Sequence, residues 1–331
     1  MKALFNRMIR TLAKAASLTA AAAVLAPAMF AAAAPLNPQI IPAGTTWLVH
    51  ADFDALAKTS LWHTFQHALK HNRRLRAAID EIQVITGTNI TADLNDVTLF
   101  GSSFSPDAPV LVLHGVTDKA KLINALKLNT HYSKSTYGAY TIRAWRSKGQ
   151  PMFGAYYDAK TIVVAHSQPA LETELNMLNG KGPALQESSA LISGLHEGLV
   201  LYVSGKNLWK LHVAGKAQSP LLASLRAACI GIGEKDNNLD IRAVLTAKTR
   251  HDAMLMQTSL DGLRSMAELA AQNNAHNRKA QLVGEAVAGV STQVRGRTLR
   301  VDWPIALDLI RQAVKLRMHH DESPAAQNSG K

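Results

Sequence analysis

The sequence predicts an α+β protein made of two similar sequential α/β repeats, each a mainly antiparallel sheet with helices packed on it. Three observations carry this. Short runs rich in Val, Ile and Thr alternate with amphipathic stretches along most of the chain. Tight polar turns such as "SPD" (105–107) join consecutive strands, and connections this short fit only antiparallel neighbours. The order of elements then recurs: "WLVHADFDAL" (47–56) is answered by "GLVLYVSGKNL" (198–208), each a strand running into a helix start.

Taken in order, "TTWLVHADF" (45–53) reads as a strand, and "DALAKTSLWHTFQHALK" opens a helical region that ends near Gly87. Asp52 and Asp54 at that junction are of the residue type that caps helices. "DVTLFGSSF" and "APVLVLHGV" are strands across the "SPD" turn. "TDKAKLINALKL" is a short amphipathic helix opening on Thr117. "AYTIRAW", "PMFGAYY" and "TIVVAHS" are strands, and "SQPALETELNML" is a helix with Ser167 as N-cap and Pro169 in its first turn. In the second half, "CIGIGEKDNNLDIRAVLTAKTRHDAMLMQTSL" repeats strand, polar turn, strand, threonine, helix. "VSTQVRGRTLRVDWPIALDLIRQAV" repeats a hairpin, with "RGR" at its turn, and a closing helix. The expected division is therefore a leader at 1–33, a first repeat at 34–187, a second at 188–317, and a disordered tail at 318–331. The halves differ most where the first carries a helical insertion at about 57–95 and the second only 209–225. Extra material of that kind is where function is first sought.

The leader "MKALFNRMIRTLAKAASLTAAAAVLAPAMFAAAAPLN" has the layout of a secretory signal: Lys2, Arg7, Arg10 and Lys14 without an acid, then an Ala/Leu/Val stretch, then small residues. Cleavage after Ala33 is expected, with Ala31 and Ala33 at the recognition positions. The expected location is periplasmic or extracellular, with no transmembrane anchor after cleavage. Removing the leader lowers the formal charge from +12 to +8, an excess that permits attraction to acidic polymers. Cys229 is the only cysteine, so no intramolecular disulfide forms, and its apolar run marks it as a buried small residue.

Motifs for chemistry are largely missing. "HEGLV" lacks the second histidine of a zinc hydrolase, "FGSSFSP" lacks the second glycine of a nucleophile elbow, and "GIGEKD" lacks the third glycine of a dinucleotide fingerprint. The five tryptophans fall on apolar positions and read as core. No cofactor is expected.

One stretch stands apart. "LWHTFQHALKHNRRLR" (61–76) places His63, His67 and His71 four residues apart, with Lys70, Arg73 and Arg74 beside them. At about 100° per residue, these groups lie opposite the stripe of Leu61, Trp62, Phe65 and Leu69. The face has no carboxylate, so its cations oppose a divalent ion. His63, His67, Lys70, His71, Arg73 and Arg74 are therefore a candidate polyanion-binding face. A metal site at His63, His67 and His71 and a plain solvated face are the alternatives. The expected function is a non-catalytic cell-envelope protein that binds an acidic polymer or an envelope partner, with nucleic acid unexpected. A periplasmic hydrolase with a non-motif site, or a His-based metal or pH sensor, is the alternative.

The strand opening "IPAGTTWLVHADFDAL" and the strand–helix–glycine ending "TIVVAHSQPALETELNMLNGKG" resemble uncharacterised secreted duplicated α+β proteins of planctomycete-type bacteria. That resemblance implies an exported α+β protein and no particular activity.

Overall fold

The computed structural model describes residues 36–321, apart from 61, 64–65, 67–79, 81–82, 85–86, 90–91, 148, 187, 193–197, 211–222 and 275. The leader and residues 322–331 lie outside the described residues. The strands are β1 (Trp47–Asp52), β2 (Leu94–Gly101), β3 (Pro109–Gly115), β4 (Ser133–Tyr137), β5 (Tyr140–Ser147), β6 (Gln150–Tyr156), β7 (Thr161–Ala165), β8 (Leu199–Lys206), β9 (Leu225–Lys235), β10 (Asn238–Ala247), β11 (Ser291–Arg295) and β12 (Thr298–Ala306). They form one antiparallel sheet in the order β11-β12-β10-β9-β8-β1-β2-β3-β7-β6-β5-β4. The helices are α1 (Phe53–Ala57), α2 (Lys119–Lys127), α3 (Gln168–Leu178), α4 (Arg250–Asn273), α5 (Arg278–Ala288) and α6 (Leu307–Asp321). The protein is thus α+β with a large antiparallel sheet. Among the described residues no helix is long and apolar enough to cross a membrane.

Pairing sorts the side chains onto two faces, because opposed residues of antiparallel strands point to the same side. His50 faces Tyr202 on β8 and Thr98 on β2, and Leu48 faces Ser204 and Phe100. On this face Leu48, Phe100, Val112, Val163, Tyr202 and Cys229 pack under Leu171 and Leu175 of α3. Leu201, next to Tyr202 in the chain, points the other way. There Leu201, Ile232, Ile241 and Ile305 pack against Leu307 and Ile310 of α6. Ala247 and Leu299 continue that side against Ala253 and Met256 of α4. The first half of the sheet is therefore covered by α3 on one face, and the second half by α4 and α6 on the other. The remaining face of β10 and β12 carries Asp240, Arg242, Arg300 and Asp302 beside Val244, which packs against the first core.

Local rules place most helix starts. Ser167 caps α3 by accepting from the Ala170 amide, with Pro169 in the first turn. Thr249 and Asp252 form a capping box at α4. The cap of α2 is a correction: Asp118, not Thr117, accepts from the Lys121 amide at 2.9 Å, because the Thr117 hydroxyl is engaged by Tyr156 at 3.2 Å. Strand β4 was not expected from sequence. Its "SKSTY" is polar and almost wholly exposed, and it is held as a strand by its hairpin with β5 across Gly138, which has φ +55°. Helix α6 runs to Asp321, four residues beyond the end the sequence places for it.

Candidate functional site

The histidine-rich stretch is only partly visible. His63 is helical and exposed, and its neighbour Trp62 is helical and buried. His67, Lys70, His71, Arg73 and Arg74 lie outside the described residues. Of that face, His63 alone falls among the described residues. Among the described residues no cluster of three or more His, Cys, Asp or Glu side chains is suited to a metal ion.

Two groupings that the sequence did not assemble emerge from the topology. The first is a polar end of the central strands, where the insertion leaves β1 and rejoins at β2. Asp52 is 1% exposed and accepts from the Ala55 amide at 2.7 Å, as the cap of α1. Burial raises its carboxyl above the usual aspartate value, against the amide bond and the nearby His50, which lower it. Asp54 accepts from the Asn95 side chain at 2.8 Å, which ties the two ends of the insertion together. Buried His50 meets the Thr98 hydroxyl at 2.9 Å. One strand further, His114 Nδ1 lies 2.8 Å from Asp96 Oδ1, and the bond to this carboxylate raises the imidazole above its usual value despite its partial burial.

A His–acid pair is half of a hydrolytic site, so its surroundings decide what it can do. Thr161 lies opposite His114 in register and is a hydroxyl on the same face. That hydroxyl bonds Asp158, which also accepts from the Lys160 and Thr161 amides at 2.7 and 2.6 Å. The Thr161 hydroxyl is thereby engaged by Asp158 rather than by the imidazole of His114. Cys229, which the sequence marks as a buried small residue, is 2% exposed and donates to the Ala190 carbonyl at 3.0 Å, and burial pushes its thiol up.

The second grouping is a basic end of the sheet. Strand β8 finishes at Lys206, whose register partner Ala227 follows Arg226 at the start of β9. Strand β10 finishes at Ala247, and Lys248 follows, with its amide bonded to the Ser224 carbonyl at 2.8 Å. The Ala247 amide bonds the Arg297 carbonyl at 2.8 Å, bringing the Arg295–Gly296–Arg297 turn to the same edge. Arg250 opens α4 and Arg300 stands on β12 close behind the turn. Seven cations, from β8, β9, α4, β11, β12 and the connections at Lys248 and Arg297, therefore share one end of the sheet. Lys248, Arg250, Arg295, Arg297 and Arg300 are exposed, while Lys206 and Arg226 are partly so. The Arg226 guanidinium stacks 4.1 Å over the Trp209 ring, which fixes it and shields one side from water. Among the described residues none of the seven forms a salt bridge. Strands sit about 4.8 Å apart, so the backbones that carry these cations on adjacent strands stand within a Debye length of about 8 Å of one another. The acid beside them, Asp252, is engaged by Thr249 through its amide at 3.0 Å and its hydroxyl at 2.6 Å.

Sequence reading found the "RGR" turn but not the patch, because its members come from positions 206, 226, 248–250 and 295–300. Only strand order brings them together.

No protein-family model and no curated protein matches the chain. Among solved structures it is similar to crystal form III of TP0453, at 12% identity and a TM-score of 0.46, covering 84% of this chain and 97% of that one. Crystal form IV of the same protein gives 13% identity and a TM-score of 0.45 over 86% and 96%. Crystal form I gives 12% and 0.41 over 85% and 97%. At these TM-scores the likeness transfers neither a fold nor a function.

Proposed function

We propose that this chain is an exported, non-catalytic envelope protein that binds an acidic polymer at the basic end of its second half. The observation that carries the reading is the convergence of Lys206, Arg226, Lys248, Arg250, Arg295, Arg297 and Arg300 on one edge without a salt bridge among the described residues. A row of like charges with overlapping potentials is unfavourable in the free protein and is relieved by a ligand carrying closely spaced anionic groups. The face of His63, His67, Lys70, His71, Arg73 and Arg74 is a second basic surface for the same ligand class. Export and cleavage after Ala33 rest on the leader and on the resemblance to secreted planctomycete-type proteins.

The scaffold is read as a duplication. Outward from the central β1–β8 pair, the strand order is β1-β2-β3-β7-β6 on one side and β8-β9-β10-β12-β11 on the other. Burial alternates alike in the two inner strands, with Leu48, His50 and Asp52 matching Val200, Tyr202 and Ser204. Hairpin β4–β5, the insertion after β1, and the long α4 with α5 are where the halves diverged. So is the placement of α3 and α6 on opposite faces.

Retention on immobilised polyphosphate and on an immobilised polycarboxylate tests the binding reading. The chain should be held by one or both at low salt. A variant with Lys248, Arg295, Arg297 and Arg300 changed to Gln should elute at clearly lower salt, with an unchanged melting temperature. Free passage of the unaltered chain through both matrices would sink the proposal. Retention lost only when His63, His67 and His71 become Gln would move the site to the insertion.

A further inference from the structure

Helix α4 packs on the sheet through Ala253, Met256 and Leu260. At about 100° per residue, the opposite side should be polar. It is not. Met254 (49% exposed), Leu255 (49%), Leu263 (63%), Met266 (69%) and Leu269 (56%) stand in solvent. Between Leu255 and Leu269 the outward strip reads Leu255, Ser259, Gly262, Leu263, Met266, Leu269, without a charge. Charged Asp261, Arg264 and Glu268 lie to one side, engaged with Thr292, the Val290 carbonyl and one another.

We propose that this strip is the interface of a homodimer in which two α4 helices pack antiparallel about Gly262. The spacing is the first reason. Leu255, Gly262 and Leu269 recur every seven residues, the period of helix–helix seams. Gly262 is midway between the two leucines, so a two-fold axis there sets Leu255 of each copy against Leu269 of the other. No atom lies within 4 Å of where a Gly262 Cβ would stand. Its own helix therefore does not demand glycine, while a backbone approaching from outside would use the small Gly262 and Ser259 surfaces. The area is the second reason. Helix α4 has 24 residues, hence is about 36 Å long and about 10 Å across. The strip thus offers on the order of 400 Å² per copy, and two copies bury on the order of 800 Å², the class of weak, concentration-dependent association. Charge argues against a lipid surface as occupant. Helix α4 carries Arg250 and Arg264 against Asp252, Asp261 and Glu268, whereas surface-bound helices are rich in Lys and Arg on their polar flanks.

This inference is independent of polymer binding, and its test uses no polymer. Sedimentation of the purified exported chain from low to high micromolar concentration should show a monomer passing to a dimer. Met266→Glu should weaken the dimer at least tenfold without lowering the melting temperature. Gly262→Cys should oxidise to a disulfide-linked dimer, since Cys229 is buried and cannot. Leu255→Cys alone should not link to itself, but should link to Leu269→Cys when the two are mixed. A monomer at all concentrations, Leu255→Cys self-linking in a parallel pair, or Met266-dependent adsorption to lipid vesicles by a chain that stays monomeric would each overturn the proposal.

Discussion

Glu174 sits at the core-facing stripe of α3 with Leu171, Leu175 and Leu178, where a hydrophobic residue belongs. It is 1% exposed, and neither carboxyl oxygen has a hydrogen-bond partner among the described residues. Burial alone pushes its carboxyl up to about 8. The folded chain therefore holds a proton there that the unfolded chain releases near 4.5. In this case stability from the group is highest below about pH 4.5, declines as pH rises, and levels off above about 8. Glu174→Met should stabilise the protein by on the order of 3 kcal/mol at pH 7, with a smaller gain at pH 5. Equal melting-temperature gains at both pH values would show that Glu174 is ionised and paired. His114 gives the same sign of pH dependence from a different cause. Its raised value, from the Asp96 bond, gives stability that is full below its ordinary 6.5 and is lost as pH rises through the folded value. The side chain is 29% exposed, so solvent screening keeps the contribution small. Asp96→Asn should lower the His114 titration midpoint in proton NMR; an unmoved midpoint would deny that Asp96 is the cause.

At the scale of elements, what was legible followed local rules. The Ser167 cap, the Asp52 junction, the alternating strands and the "SPD" hairpin each depend on a few adjacent residues, and sequence carries those. Thr249 belongs to the same class. Thr249→Ala removes the bond that the hydroxyl accepts from the Asp252 amide and the one it donates to the Asp252 carboxylate, leaves the backbone amide of residue 249 as a donor, and should cost about 1 kcal/mol of stability, measured by denaturant unfolding; no loss would show that α4 is held by its packing alone. Illegible were the elements whose existence depends on partners. Strand β4 has no apolar face and is a strand only beside β5. The exposed strip of α4 has the composition of a buried one, so its periodicity cannot report which side meets the sheet. Asp118 displaced Thr117 as a cap because Tyr156, distant in sequence, claims the threonine hydroxyl.

At the scale of the whole molecule, sheet order does what no segment can. It joins both halves through β1 and β8, and it gathers a basic edge from stretches separated by up to a hundred residues of chain. Recurring patterns were readable in the sequence, but the placement of α3 and α6 on opposite faces was not, because it depends on which face each connection crosses. The histidine stretch drew attention as a dense local signal, whereas the basic edge is dispersed along the chain and gives none. Docking of an acidic polymer on this edge, as proposed, is probed best by the salt dependence of binding. The affinity for polyphosphate should be measured by titration across a range of salt concentrations, for the unaltered chain and for the variant with Lys248, Arg295, Arg297 and Arg300 changed to Gln. Each lost phosphate contact removes one released counterion. The variant should therefore show a log–log slope shallower by about two to four and weaker binding at low salt. Identical slopes for the two chains would contradict the claim.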